Sequence, residues 1–226
     1  MSQVKERPIL FSTSMVRAIL EGRKMVTRRA LNDRALKNIG YGVQLGECHE
    51  LPSEGPLHPN SVGYYNDFCP FGQPGDRLWV RETWLPDPDA DHDAWYDHTE
   101  TYVSWSGCGS KIDGVPPGLR NPGHCIYREG WDGGGLVWRP SIHMPRWASR
   151  ILLEITAVRV ERLQDISEEQ AMAEGVGTQA IESFRANGVD RPAGFAFRDL
   201  WTSISGDENW TVNPWVWVVE FKRVTP

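Results

Sequence analysis

An α+β fold, a small and mostly β barrel decorated by helices, is what the sequence predicts, and three observations carry it. Strand-like runs are few and short and are bounded by local turn residues. Helical patterns do not follow every strand, as they would in the repeated βαβ units of a doubly wound parallel sheet. No glycine-rich strand-to-helix phosphate loop is found: Gly133-Gly134-Gly135 leads into Leu136-Val137-Trp138-Arg139-Pro140, which reads as strand or coil.

Taken in order, residues 8–11 form a short apolar run. A helix follows, with Ser12 or Ser14 as its cap, Val16, Ile19 and Leu20 on one face, and Gly22 as its stop. Residues 24–29 are short and β-compatible. Residues 31–75 hold frequent Gly and Pro and little periodicity, which predicts an irregular insertion at about 31–74. Gly75-Asp76 turns into a strand over 77–84, in which Leu78, Val80 and Glu82 alternate with Trp79, Arg81 and Thr83; Trp79 and Trp84 read as core.

A second loop-like insertion spans 85–137, with Pro86, Pro88, Pro116, Pro117 and Pro122. A loop of that length inside a compact domain is more often functional than idle. Regularity returns over 149–163, where Ile151, Leu153, Ile155, Val158 and Val160 predict a long strand. Ser167-Glu168-Glu169-Gln170 is a capping box with two carboxylates in the first turn, and Gly175 ends that helix. Two more amphipathic helices follow over 178–187 and 195–204, and a β-prone strand, Trp215–Val224, closes the chain behind Asn213-Pro214. The whole is expected to be a single domain over 1–226.

Composition narrows the partners. Among 226 residues, 24 Lys+Arg face 30 Asp+Glu, so the net charge of −6 excludes a general polyanion-binding coat but leaves room for a local basic cleft. The longest strongly apolar run, 215–219, is too short to cross a bilayer, so no membrane partner is expected. Residues 1–10 have no apolar stretch of the secretory kind, and the four cysteines then read as reduced thiols of a cytoplasmic protein. Eleven Trp is high usage and implies either core or flat stacking surface.

Between Asp132 and Glu154 there is no acid, while Arg139, Arg146 and Arg150 are interleaved with Trp138 and Trp147. Cations beside flat rings hold phosphates and stack bases. The same residues also suit core tryptophans with arginines paired to acids elsewhere in the chain, and both readings stand. Arg77 and Arg81 share a strand face and extend a basic lining. His143 reads either as a ligand donor or as a satisfied structural histidine. Cys48, Cys69, Cys108 and Cys125 lie in or beside the insertions, with His49 and His124 adjacent to two of them. No Cys-x-x-Cys pair exists, so neither a metal nor a cofactor is expected.

The run Ile19-Leu20-Glu21-Gly22-Arg23-Lys24-Met25-Val26-Thr27-Arg28-Arg29 resembles the opening helix-and-strand signature of the ASCH domain, a relative of the PUA-like RNA-binding barrels. Three further pieces fall in that family's order: Gly75-Asp76-Arg77-Leu78-Trp79-Val80, the stretch from Asp165 to Gly175, and Val218-Val219-Glu220-Phe221-Lys222. Cys69-Pro70-Phe71-Gly72 and the stretch 138–145 resemble the long phage and prophage forms. The resemblance implies a PUA-like barrel whose partner is a nucleoside, a nucleotide or RNA.

One ASCH branch consists of small bacterial amidohydrolases that remove the acetyl group from N4-acetylcytidine. The resemblance places their Lys, Thr and Glu on Lys24, Thr27 and Glu174, with Arg28 and Arg29 beside the substrate. Amide hydrolysis needs a nucleophile, a base and oxyanion stabilisation. Thr27 is the hydroxyl. Lys24 serves as base only when its amine is neutral, which burial or cationic neighbours favour and a nearby Glu174 opposes. In an ideal strand Lys24 and Thr27 point to opposite faces, so the strand is expected to begin after Lys24. The alternatives are a non-catalytic binder of RNA or modified nucleic acid, a metal-independent ribonuclease, and a structural phage protein. The oligomeric state is left open.

Overall fold

The computed structural model describes residues 4–86, 115, 117–132 and 138–224. Cys108 and Gly133-Gly134-Gly135 lie outside the described residues. The fold class is α+β. Its main sheet is mixed and five-stranded, in the order β1 (Glu6–Leu10), β3 (Arg77–Arg81), β6 (Leu152–Arg162), β7 (Trp215–Val224) and β2 (Val26–Ala30). A second sheet pairs β4 (Trp84–Pro86) with β5 (Cys125–Tyr127) antiparallel. Among the described residues the main sheet is open, ending at β1 and β2, and no closed barrel is found. The helices described are α1 (Thr13–Leu20), α2 (Asp33–Leu45), α3 (Val62–Asp67), α4 (Glu168–Ala173), α5 (Thr178–Ala186), α6 (Pro192–Ser205) and α7 (Asp207–Thr211).

The chain forms two compact units from interleaved segments. The first is built mainly from Ala18–Arg77 and Glu154–Lys222; the second comes mainly from Glu6–Arg17 and the described part of Leu78–Leu153. In the first unit β2 runs antiparallel to β7, with Val26 opposite Glu220 and Arg28 opposite Val218. Val26, Val216 and Val218 share a core with Ile166, Ala171, Ala193 and Phe197 from the helical segments. Period-two alternation therefore assigns Val26 and Arg28 to the helix-covered face of β2 and Thr27 to the other. In the second unit Trp84, Tyr127, Met144 and Ala148 form a separate core, against which Trp147 packs edge-on to Trp84 at 5.4 Å.

The insertion expected to be irregular at about 31–74 is not. Asn32 caps α2 by accepting from the Ala35 amide at 2.9 Å, and Gly46 ends the helix in the left-handed region at φ 75°. Ala35, Ile39 and Gly42 make its buried face. Gly40 and Gly42 hid this helix, since glycine reads as a breaker. At Gly42 the glycine serves packing, because a Cβ there would lie 2.5 Å from the Tyr64 ring. The second insertion, 85–137, is likewise not wholly loop, as it contributes all of β5.

The strand expected over 77–84 is divided: β3 ends at Arg81, and Trp84 opens β4 in the second sheet, while the other expected elements follow the sequence pattern. Leu78, Val80 and Glu82 are all buried, as their alternation predicts. The capping box of α4 is complete: the Gln170 amide donates to Ser167 Oγ at 3.2 Å, and the Ser167 amide donates to Gln170 Oε1 at 3.1 Å. No helix among the described residues is long and apolar enough to cross a membrane.

Candidate functional site

Strand β2 begins at Val26, so Lys24 lies in the segment that precedes it, as convergence requires. Lys24 forms an isolated antiparallel bridge with Glu174, the residue that caps the C-terminus of α4. The Met25 amide donates to the Ala173 carbonyl at 2.8 Å, and the Met25 carbonyl accepts from the Phe221 amide at 2.9 Å. One short segment is thus held on one side by the last strand and on the other by the end of a helix. Two residues 150 positions apart meet as a consequence.

Gly175 makes the approach possible. It is left-handed at φ 81°, and a Cβ on it would lie 2.8 Å from both the Lys24 and Ala18 Cβ atoms. The Lys24 ammonium is fully enclosed and donates to Glu174 Oε2 at 2.7 Å, to the Glu174 carbonyl at 2.8 Å and to the Val26 carbonyl at 2.9 Å. Those three bonds use all three of its protons. The bond to the Glu174 carbonyl also places a cation at the C-terminus of α4, where the helix dipole favours one.

Arg28 completes the cluster. It donates to Glu174 Oε1 at 3.3 Å, to Glu161 Oε2 at 3.0 Å and to Gln170 Oε1 at 2.8 Å, and its guanidinium lies 5.9 Å from the Phe197 ring centre. Gln170 therefore serves both the helix cap and the buried charge cluster. Burial pushes the Lys24 amine below the ordinary lysine value; Glu174 opposes that shift, and Arg29 and Arg28 reinforce it. Burial also lowers Arg29, against the pull of Glu174.

Glu174 is thus in direct contact with both Lys24 and Arg28. Thr27 is 2% exposed and opposite Val219 in the register, on the face of β2 away from Arg28. Arg29 is half-buried. Sequence reasoning missed Glu161 and Gln170. Gln170 was visible only as a cap, and no local pattern ties Glu161 to a strand so distant in the chain.

The remaining expected site residues belong to the second unit. Arg81 stacks over Trp79 at 4.7 Å and donates to the Ile142 carbonyl at 3.3 Å. Trp138 packs edge-on to Trp131 at 6.3 Å, with the Arg128 guanidinium 5.7 Å from its ring centre. Arg139 bridges to Trp84 through the backbone. His143 is exposed. Arg146 pairs with Glu6 at 2.8 Å. Arg150 grips buried Glu82 through two bonds of 2.9 Å, reaches Glu129 at 3.2 Å and covers the Tyr127 ring at 4.0 Å. Burial raises the Glu82 carboxyl, and Arg150 pulls it back down. Of the two readings offered for the Arg/Trp stretch, pairing with distant acids describes Arg146 and Arg150, and core packing describes Trp147.

Cys48, Cys69 and Cys125 are buried thiols. Among the described residues no group of three or more His, Cys, Asp or Glu side chains is placed to hold a metal ion. No protein-family model, curated protein or solved structure matches this chain.

Proposed function

We propose that this chain is an ASCH-type protein of PUA-like ancestry that binds a nucleoside or RNA base and hydrolyses an N4-acyl group from cytidine-type substrates. The observation that carries the reading is the buried Lys24–Glu174 pair, brought together at 2.7 Å beside the strand that holds Thr27. Enclosing such ions costs several kcal/mol each, and well-packed apolar residues would often be at least as stable there. Clusters of titratable groups with shifted pKa values concentrate where chemistry is done.

In the proposed reaction Lys24 works as the neutral amine, having lost its proton to solvent, the form that its burial favours. The amine accepts the Thr27 proton as Oγ1 forms a bond to the acyl carbon. The carbon–N4 bond breaks, and the departing nitrogen takes the proton from Lys24. Water, deprotonated by the same amine, then hydrolyses the acyl-Thr27 ester, with Lys24 returning the proton to Thr27. Products are cytidine and the carboxylic acid. Arg28 and Arg29 lower the amine pKa and so favour the neutral base.

A second reading, binding without turnover, is favoured by one observation: all three Lys24 protons are already engaged. Incubation with N4-acetylcytidine, followed by chromatography of cytidine, separates the two. Hydrolysis predicts turnover that rises with pH through an ionisation below the ordinary lysine range. It also predicts a loss of about 10²–10⁴-fold in Lys24→Met, the size of a general-base contribution. Cytidine yields at the uncatalysed level with saturable substrate binding support the second reading; neither binding nor turnover rejects both.

A further inference from the structure

The first unit carries a cavity that no step above uses. Helix α6 presents Arg191, at its N-cap, and Gly194, Phe195 and Arg198 at the i, i+3, i+4 and i+7 positions that form one helix face. Gln164, Ile166 and Trp210 complete the lining of an open cavity of about 230 Å³. Arg28, Arg146 and Arg150 are each paired with glutamates. Arg191 and Arg198 are not: among the described residues neither pairs with a carboxylate. Arg191 is held in place by donating to the Ile166 carbonyl. The nearby Glu168 carboxylate is already engaged by the Ala193 and Gly194 amides at 2.6 and 3.0 Å.

We infer that this cavity binds a mononucleotide, with its phosphate on Arg191 and Arg198 and its base against Trp210 and Phe195. Two guanidiniums match the roughly −1.5 to −2 charge of a phosphomonoester, and their planar forks bind its oxygens in pairs. The apolar wall is a half-buried indole, braced edge-on by Phe197 at 6.2 Å, and flat rings of this kind take a base by stacking. The volume falls below the ~300 Å³ lower limit of ordinary ligand pockets, which restricts the occupant to a single base with its ribose and one phosphate group. Gly194 leaves the floor open. A Cβ there would meet Glu168 Oε2 and Arg191 Cβ at 3.6 and 3.7 Å, so a side chain fits the helix and fills the cavity instead. The site does not depend on the Lys24–Glu174 reading, because no residue is shared.

Isothermal titration of the full chain with CMP, cytidine and inorganic phosphate tests it. CMP is expected to bind at least tenfold more tightly than cytidine or phosphate alone, and to weaken with salt. Arg198→Ala and Gly194→Leu are each expected to weaken CMP at least tenfold without lowering the melting temperature, whereas Gly40→Ala on α2 leaves CMP binding unchanged. Equal binding of CMP and cytidine, retention of CMP by both cavity variants, or no heat with CMP overturns the assignment.

Discussion

Lys24 has three acceptors and Glu174 two cationic partners, so removing either leaves its neighbour enclosed and short of bonds. Lys24→Met is therefore expected to cost about 3–5 kcal/mol, the usual size for breaking a buried ion pair. The double variant Lys24→Met/Glu174→Met removes both charges and is expected to recover part of that loss. Urea unfolding of the two singles and the double gives the coupling energy directly. A double variant destabilised by the sum of the two singles would show the pair to be uncoupled. At this scale the contact between Lys24 and Glu174 was expected from a resemblance and not from local spacing, and the structure shows that contact. The sequence was not legible at Glu161 and Gln170, whose bonds to Arg28 span 133 and 142 positions and follow from tertiary geometry alone. Nor could local spacing choose partners for Arg146 and Arg150; the acids that claim them come from distant segments.

Elements with strong end signals were readable before any coordinates. The capping box of α4 and the bounds of β7 follow from Ser167-Glu168-Glu169-Gln170 and from Asn213-Pro214. Helix α2 escaped because its two interior glycines cost it propensity and blurred its pattern. Those glycines differ in kind, which yields a paired prediction. Gly40 has open space around its missing Cβ, so Gly40→Ala is expected to stabilise by about 0.5–1 kcal/mol. Gly42→Ala gains the same propensity but forces its Cβ into the Tyr64 ring, which Phe68 braces edge-on at 5.1 Å. Overpacking of that sort costs about 1–3 kcal/mol, so this variant is expected to be destabilised. Thermal unfolding of the two alanine variants checks the opposite signs; a shared sign removes the packing explanation for Gly42.

Neither compact unit is one continuous stretch of chain. The first needs β2 from near the start and β6, β7 and the later helices from the far end. A fragment of residues 1–153 lacks the strand that pairs with β2 and the helices that cover Val26. It is expected to show no cooperative unfolding of this unit and poor amide dispersion by NMR, whereas the full chain shows both; a well-dispersed fragment would contradict the interleaving. Such interleaving leaves no mark in local sequence, because each unit is assembled from segments far apart in the chain. The bridge from Lys24 to Glu174 also has a consequence for synthesis. At the usual 5–20 residues per second, about 8–30 s separate the translation of the two partners. Through that interval the lysine meets water rather than its carboxylate, and β2 waits for a strand that is not yet made. The candidate catalytic cluster therefore forms only after Glu174 has been translated, 150 positions behind Lys24, and Lys24 acquires its charged partner late on a growing polypeptide.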